Sequence, residues 1–255
     1  MSGSDFWKAK IAAFLHDPLE KAFVLMRGES HERIADEAAR EIFGEELLEL
    51  RDQTKGLKDA IKRADWFASG ADRPNLPRDF GGAPFWDKPE IVHPLTGKAI
   101  RLDEDLLGDF SKDEFKRMSA AHLARLANSF RENSEGGDHD WRAAFFALWR
   151  YGDEVSVGES SDKNKPKPNL WRVSPADSRT PDHGILEHLS LASAFTGASL
   201  SGKRPALLLV SFGPVQGFIA EARKMNDLWA GSHLLSAITF SAIWEVARRY
   251  GPDAV

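Results

Sequence analysis

The sequence predicts a mainly α-helical protein that changes character near residue 200. Through the first two hundred residues, apolar side chains recur at helical spacing. Polar, Pro- and Gly-containing stretches at 70–100 and 152–181 interrupt them and are predicted to be loops. A continuous apolar run at 206–212 is then typical of a strand buried on both faces. We therefore predict a helical domain over residues 1–200 and, over 201–255, the beginning of an α+β domain that the sequence cuts short, because one strand cannot satisfy its own ladder groups.

Four apolar patterns define the predicted helices of the first domain. Two of them cover 34–43 and 57–68. The third begins with Ser111 and Glu114, which have the spacing of a capping box. The stripe over 141–149 is the most regular, so we expect that helix at the centre of the core.

The last fifty residues have a different pattern. Gly213 and Pro214 end the apolar run, and a helical pattern resumes at Val215. A long helix rich in Leu, Ile and Ala is predicted to run to about Tyr250, with Gly251 closing it.

Composition limits the classes of function. Lys and Arg number 34 against 39 Asp and Glu, giving a formal net charge of -5, so overall charge does not favour nucleic acid binding. Cysteine is absent, which excludes disulfides and thiolate zinc sites and leaves His, Asp and Glu as metal ligands. With no signal peptide and no membrane span expected, we predict a cytoplasmic protein without membrane partners.

Metal-capable side chains first occur at two places. His16 and Asp17 follow an apolar helix and precede Pro18, so both are expected at a helix end with their side chains able to turn toward a cavity. Asp65 lies four residues after Ile61, which puts a carboxylate beside a buried stripe. A buried carboxylate needs a cationic partner, which a metal ion or a neighbouring Arg or His can supply.

The third place is the stretch from Asp182 to His188. Asp182 is predicted to cap a helix whose first turn carries His183. His188, three residues after Ile185 and four before Ala192, is predicted to face inward. Taken alone, each histidine fits a core or capping role better than metal ligation.

Together these stretches resemble the ligand set of HD phosphohydrolases. The order His16-Asp17, Asp65, His183 is similar to the circularly permuted HD domain of type III CRISPR large subunits. Further motifs resemble the Cmr (type III-B) branch of that family, and with the HD motifs they extend from residue 11 to residue 236. These motifs are Phe14-Leu-His-Asp-Pro18 with Lys21, Ala64-Asp with Ala71-Asp-Arg73, His93-Pro-Leu-Thr-Gly97, Pro175-Ala-Asp-Ser-Arg-Thr-Pro-Asp-His183, Phe212-Gly-Pro-Val-Gln-Gly-Phe-Ile219 and Asp227-Leu-Trp-Ala-Gly-Ser232.

The resemblance implies a metal-dependent nuclease that cuts single-stranded DNA. It implies His16, Asp17, Asp65 and His183 as metal ligands, with His31 a weaker candidate for a second site. His16, Asp17 and Lys21 are the implied catalytic residues. The donor set suits Mn, Ni, Fe or Zn, and nitrogen ligands make Mg less favoured.

The same resemblance implies the fold and the partners. The fold is a helical, circularly permuted HD-type domain followed by the start of a ferredoxin-like palm domain, in a complex with other Cmr subunits, crRNA and target RNA. Full-length relatives bind ATP in their palm region and form cyclic oligoadenylates through a Gly-Gly-Asp-Asp motif, which this sequence lacks. Gly136-Gly-Asp-His-Asp140 is predicted instead to be a polar loop and helix cap.

Two other functions compete with the nuclease. One is a catalytically degenerate HD scaffold that binds other Cmr subunits and crRNA. The other is an HD phosphohydrolase acting on free nucleotides, which the palm-like C-terminal sequence disfavours.

Overall fold

The computed structural model describes residues 3–24, 31–70, 90–93, 95–102, 111–130, 140–155, 168–177, 181–200, 202 and 204–255. Within these ranges the chain is mainly helical, as predicted. The α-helices are α1 (Gly3–Phe14), α2 (Lys21–Val24), α3 (His31–Phe43), α4 (Glu46–Gln53), α5 (Leu57–Ala68), α6 (Lys112–Asn128), α7 (Trp141–Tyr151), α8 (Ile185–Ser199), α9 (Val215–Ala220) and α10 (Met225–Tyr250). Short 3₁₀ helices cover Pro168–Val173 and Pro252–Ala254, and the strands are β1 (Glu90–Val92) and β2 (Ala99–Arg101).

Local sequence signals explain several helix ends. The predicted capping box is present, since Ser111 Oγ accepts from the Glu114 backbone N–H at 3.2 Å and Glu114 accepts from the Ser111 N–H at 2.9 Å. The Asp140 side chain caps α7 by accepting from Ala143 N, which confirms its predicted role as a cap. The prediction of a loop before it lies outside the described residues.

The core lies between α1, α6, α7 and α8. Phe145 on α7 is fully buried and meets Phe14 of α1 edge-to-face, with ring centroids 6.1 Å apart. Trp171 stacks on Phe115 of α6 at 4.5 Å. The prediction that α7 is central is therefore confirmed.

A buried carboxyl group borders this core. Glu20 is only 3% exposed, and burial raises its pKa to about 7, although a hydrogen bond with Ser119 opposes the shift. The Ser119 hydroxyl also accepts from the Trp171 indole N–H at 2.7 Å. Glu20 is thus a carboxyl group that folding holds toward its neutral form.

Glu20→Gln is expected to remove part of the pH dependence of stability. The folded pKa of Glu20, about 7, lies above the ordinary value of 4.5. The contribution of this carboxyl group to the free energy of unfolding is therefore fully present below pH 4.5 and is lost as pH rises to 7. Above pH 7 the variant should be more stable than wild type by about 2–3 kcal/mol, measured by urea unfolding. Glu41→Gln at an exposed position is the control. A variant less stable than wild type at pH 8 would contradict this account.

Two segments predicted to be loops contain structure. Within 70–100, β1 pairs antiparallel with β2, Ile91 opposite Ile100, and the Val92 N–H donates to Pro181 O. Within 152–181, Leu170 and Trp171 are buried. The prediction of simple loops was wrong there because three-residue strands and one 3₁₀ turn are too short to show a period.

The predicted buried strand is also wrong. Residues 206–212 carry no strand pairing, and Leu207 and Leu209 are 97% and 93% exposed. A strand needs a neighbour for its backbone groups, and in the described ranges no strand lies beside this segment. The helices predicted after it are present as α9 and α10, the latter ending at Tyr250 before Gly251.

Helix α10 contacts the rest of the fold mainly through its C-terminal end. Along it only Ala247 is buried, whereas Trp229 and Phe240 are 70% and 63% exposed. The following 3₁₀ helix contacts α8 and α7. The division into domains at residue 200 stays a prediction. Among the described helices, none combines the length and the apolar composition that crossing a membrane requires.

Candidate metal centre

Three helices bring the candidate ligands to one place. Helix α1 ends at Phe14, and His16 and Asp17 lie in the turn that follows it, directly before Pro18. Asp65 lies in the last turn of α5, and His188 lies in the first turn of α8, which packs against both α1 and α5. The site is therefore built where two helix ends meet a helix start.

The polar atoms lie close together. His188 Nε2 is 3.2 Å from Asp65 Oδ1 and 3.9 Å from Asp17 Oδ2. His16 Nε2 is 3.7 Å from each of the same two oxygens. Ligand atoms of His16, Asp65 and His188 all lie within 4.8 Å of one another, which one cation can span.

A hydrogen bond fixes the tautomer of His16. Its Nδ1 lies 2.7 Å from the carbonyl oxygen of Ala13, and a carbonyl can only accept, so Nδ1 carries the proton. In the neutral ring the Nε2 lone pair then points at the carboxylates. This is the arrangement in which histidine binds metals, with the second nitrogen donating to a fixed acceptor.

Charges within the site oppose the cost of burial. Burial alone raises the pKa of Asp65, but the imidazoles of His16 and His188 outweigh it and hold that pKa well below its usual range. Burial lowers the pKa of His16, but Asp65 and Asp17 outweigh it and raise the net value. For Asp17, burial is outweighed by Lys21 and His16, and its pKa falls.

Buried polar atoms without hydrogen-bond partners indicate whether a cation fits this site. Among the described residues, His16 Nε2, Asp17 Oδ1 and both ring nitrogens of His188 are buried without a hydrogen-bond partner. Orphaned polar atoms are rare in protein interiors because each costs about 1–3 kcal/mol. Two imidazoles and two carboxylates supply the donor set of Mn, Fe, Ni or Zn, so the residues present fit a divalent transition metal.

The predicted residues can now be placed. His16, Asp17 and Asp65 lie together, and Lys21 donates to Asp17 Oδ2 at 2.6 Å. Lys21 therefore contacts a candidate ligand, and its catalytic role stays a prediction. His31 Nε2 lies 3.8 Å from Asp17 Oδ1, at the edge of the site.

His183 lies next to the group of three. Its ring centroid is 6.3 Å from that of His188, and its Nδ1–H donates to Asp182 Oδ1 at 2.8 Å. Its role as a ligand stays a prediction. The prediction that Asp182 caps α8 was wrong: Gly184 is the N-cap, because a bridge between Pro175 and Gly184 keeps this segment extended.

Sequence reasoning did not include His188 among the candidate metal ligands. Its spacing from Ile185 and Ala192 predicted an inward-facing side chain, and it is only 3% exposed. Spacing along one helix cannot show what a residue meets on other helices. The signal was present, but the carboxylates of Asp17 and Asp65 that give it meaning lie more than 120 residues away in the chain.

Comparisons with known proteins agree with the sequence motifs. Residues 207–255 match the family described as CRISPR-associated protein Cmr2, N-terminal. The chain is 28% identical over 282 residues to the CRISPR system Cmr subunit Cmr2 of Pyrococcus furiosus, covering 97% of this chain and 30% of that protein. It is 25% identical over 284 residues to the CRISPR system CMR subunit Cmr2 of Saccharolobus solfataricus, covering 100% of this chain and 24% of that protein.

The chain thus spans less than a third of the length of these curated relatives. The similarity nevertheless runs along nearly all of the present sequence, through the helices that carry the candidate metal centre as well as the C-terminal segment. On these matches, the chain is similar to Cmr2 subunits of CRISPR systems along nearly its whole length, and its C-terminal segment matches the Cmr2 N-terminal family.

Proposed function

We propose that this chain is the metal-dependent nuclease portion of a type III-B CRISPR effector subunit, and that its candidate metal centre hydrolyses phosphodiester bonds of single-stranded DNA. The observation that carries the proposal is the meeting of His16, Asp65 and His188 with Asp17, in which buried nitrogen and oxygen atoms lack partners. The substrate comes from the resemblance to type III-B large subunits.

Each side chain of the candidate metal centre has a separate proposed role. His16, Asp65 and His188 would hold a divalent cation, with Asp17 beside them and His183 and His31 at the margin. A cation bound there would supply a Lewis acid and lower the pKa of a bound water. Two imidazoles bring no charge, so two carboxylates leave a dication nearly neutralised, and an anionic phosphodiester can approach.

In this proposal Lys21 acts through Asp17. Its ammonium group donates to Asp17 Oδ2 at 2.6 Å and holds that carboxylate ionised. An ionised Asp17 can orient a water or contact the cation, whereas a protonated one cannot. Lys21 is thus proposed to position Asp17 as well as to lie near the phosphate.

The proposal extends to the fold and the complete protein. Residues 1–200 form a circularly permuted HD-type domain, and residues 201–255 begin a ferredoxin-like palm domain. In the full-length protein the palm region would bind ATP, and the assembly would include other Cmr subunits, crRNA and target RNA.

Two observations favour a scaffold without turnover. The ion pair between Lys21 and Asp17 already neutralises one carboxylate, and the formal net charge of -5 gives no general attraction for DNA. A degenerate HD domain would keep the same helical packing to bind other Cmr subunits and crRNA. Metal binding and cleavage therefore have to be measured separately.

Manganese titration with a cleavage assay tests the proposal. The metal-free chain is expected to bind Mn²⁺ by calorimetry and to cut end-labelled single-stranded DNA only when Mn²⁺ is added. His16→Ala and Asp17→Ala should lose the cleavage, while His233→Ala, an exposed histidine on α10, should keep it. Mn²⁺ binding without DNA cleavage would support the scaffold hypothesis. Cleavage that is unchanged in both site variants would contradict the nuclease hypothesis. Phosphate released from free nucleotides, with no polynucleotide cut, would select the small-molecule phosphohydrolase.

A further inference from the structure

A buried ion pair joins the first helix to the last turn of the chain. Lys10 Nζ lies 2.6 Å from Asp253 Oδ2, and the two side chains are 1% and 0% exposed. They are 243 residues apart in sequence. A Lys and an Asp buried this deeply are uncommon, so the pair needs a reason.

Lys10 also contacts α8 in two ways. Its ammonium group donates to the Ser193 carbonyl at 3.4 Å, and the Ser193 hydroxyl donates back to the Lys10 carbonyl at 3.1 Å. Lys10 therefore holds α1 against α8 at the position of Ser193. Through Asp253 it also connects both helices to the segment that follows α10. We call Lys10, Ser193 and Asp253 the junction.

Two glycines let the backbone approach the junction closely. A Cβ on Gly251 would meet Lys10 Cε at 2.9 Å and Phe145 Cε1 at 2.9 Å. A Cβ on Gly197 of α8 would meet Lys10 Nζ at 3.2 Å. The lysine side chain is therefore confined on both sides, and its position is determined by α8 and by the end of α10.

The energetics point away from a purely stabilising role. Burial lowers the pKa of Lys10 and raises that of Asp253, and in both cases burial outweighs the attraction between the partners. A buried ion pair often adds little net stability compared with apolar side chains of similar volume. What it does impose is one geometry, since either charge left alone is costly.

The geometry it imposes bears on the candidate metal centre. Lys10 precedes His16 by six residues, and Ser193 follows His188 by five, so each lies within about two helical turns of a candidate ligand. His188 lies on α8, and His16 lies in the turn that directly follows α1. The relative placement of the two helices at the junction therefore fixes the separation of His16 and His188.

We propose that Lys10, held by Asp253, is a positioning residue through which the C-terminal segment sets the geometry and the affinity of the metal centre. The inference rests on the metal centre proposed above. It gives the end of α10 a part in preparing the site.

A double-mutant cycle tests the inference with Mn²⁺ alone as the probe. Lys10→Met and Asp253→Leu each leave one buried charge, and both should lower the melting temperature and weaken Mn²⁺ binding about 10-fold. The double variant has no unpaired charge and should regain the melting temperature but not the affinity, because the link is still missing. Leu123→Ala, in the core beside the end of α7, should lower the melting temperature without changing the affinity.

The outcomes separate the two proposals. If the affinity of the double variant recovers together with its melting temperature, the junction is only structural and the inference is overturned. Wild-type affinity in either folded single variant also overturns it and leaves the metal centre standing. If the wild-type chain binds no Mn²⁺, the metal centre itself is wrong and the inference falls with it.

Discussion

His188→Ala is expected to reduce Mn²⁺ affinity and Mn²⁺-dependent cleavage of single-stranded DNA by about 100-fold or more. His188 Nε2 lies 3.2 Å from Asp65 Oδ1, nearer than His16 Nε2 at 3.7 Å, and it also lies 3.9 Å from Asp17 Oδ2. Removing it leaves those carboxylates with one imidazole in place of two. Calorimetry with Mn²⁺ and a cleavage time course measure the two effects independently.

His183→Ala is the matched comparison. His183 is also a histidine near α8, but its ring lies 6.3 Å from that of His188, and it falls outside the group of three that a single cation can span. We expect its loss to reduce Mn²⁺ affinity by only about 10-fold, as for a residue that supports ligands rather than supplying one. The reverse order of effects would make His183 the ligand and His188 a core histidine.

A further check comes from Asp65. In the metal-free chain the imidazole of His188 helps to hold the pKa of Asp65 low, so His188→Ala should raise it. Carbon-detected NMR titration of the Asp65 carboxyl would show that rise without any metal present. An unchanged titration would place His188 farther from Asp65 than the 3.2 Å found here.

The helices could be predicted from sequence because each is amphipathic over several turns. The apolar stripes of α3, α5 and α7 repeat often enough for the helical period to exceed chance, and Ser111 with Glu114 marks the start of α6 directly. The prediction of a strand at 206–212 was wrong for a physical reason. A run of apolar residues shows that a segment would gain from burial, but pairing depends on strands elsewhere.

The candidate site could be predicted only in part for a related reason. His16, Asp17 and Asp65 stand out locally, because each is a polar residue placed at a helix end or beside a buried stripe. His188 does not stand out, since an inward-facing histidine is ordinary in a core. The junction of Lys10 with Asp253 left no sequence signal, because its partners are separated by nearly the whole chain.

Gly251→Ala is expected to destabilise the chain by about 3–5 kcal/mol. Gly251 has φ 107° and ψ 155°, a region that only glycine enters readily, and an alanine there costs about 1–3 kcal/mol in backbone strain. The new methyl group would also collide with Lys10 Cε, Phe145 Cε1 and Asp253 Oδ1, and so disturb a buried ion pair that has no room to relax. Urea unfolding followed by circular dichroism measures the loss.

Gly44→Ala separates the two contributions. Gly44 has φ 67°, and a Cβ added to it would meet nothing within 4 Å, so alanine there meets backbone strain alone and should cost about 1 kcal/mol. The excess at Gly251 then reports the collision at the junction together with the larger backbone strain at its φ of 107°. Equal losses in the two variants would mean that the end of α10 yields easily, and that the C-terminal segment is too loosely held to position Lys10.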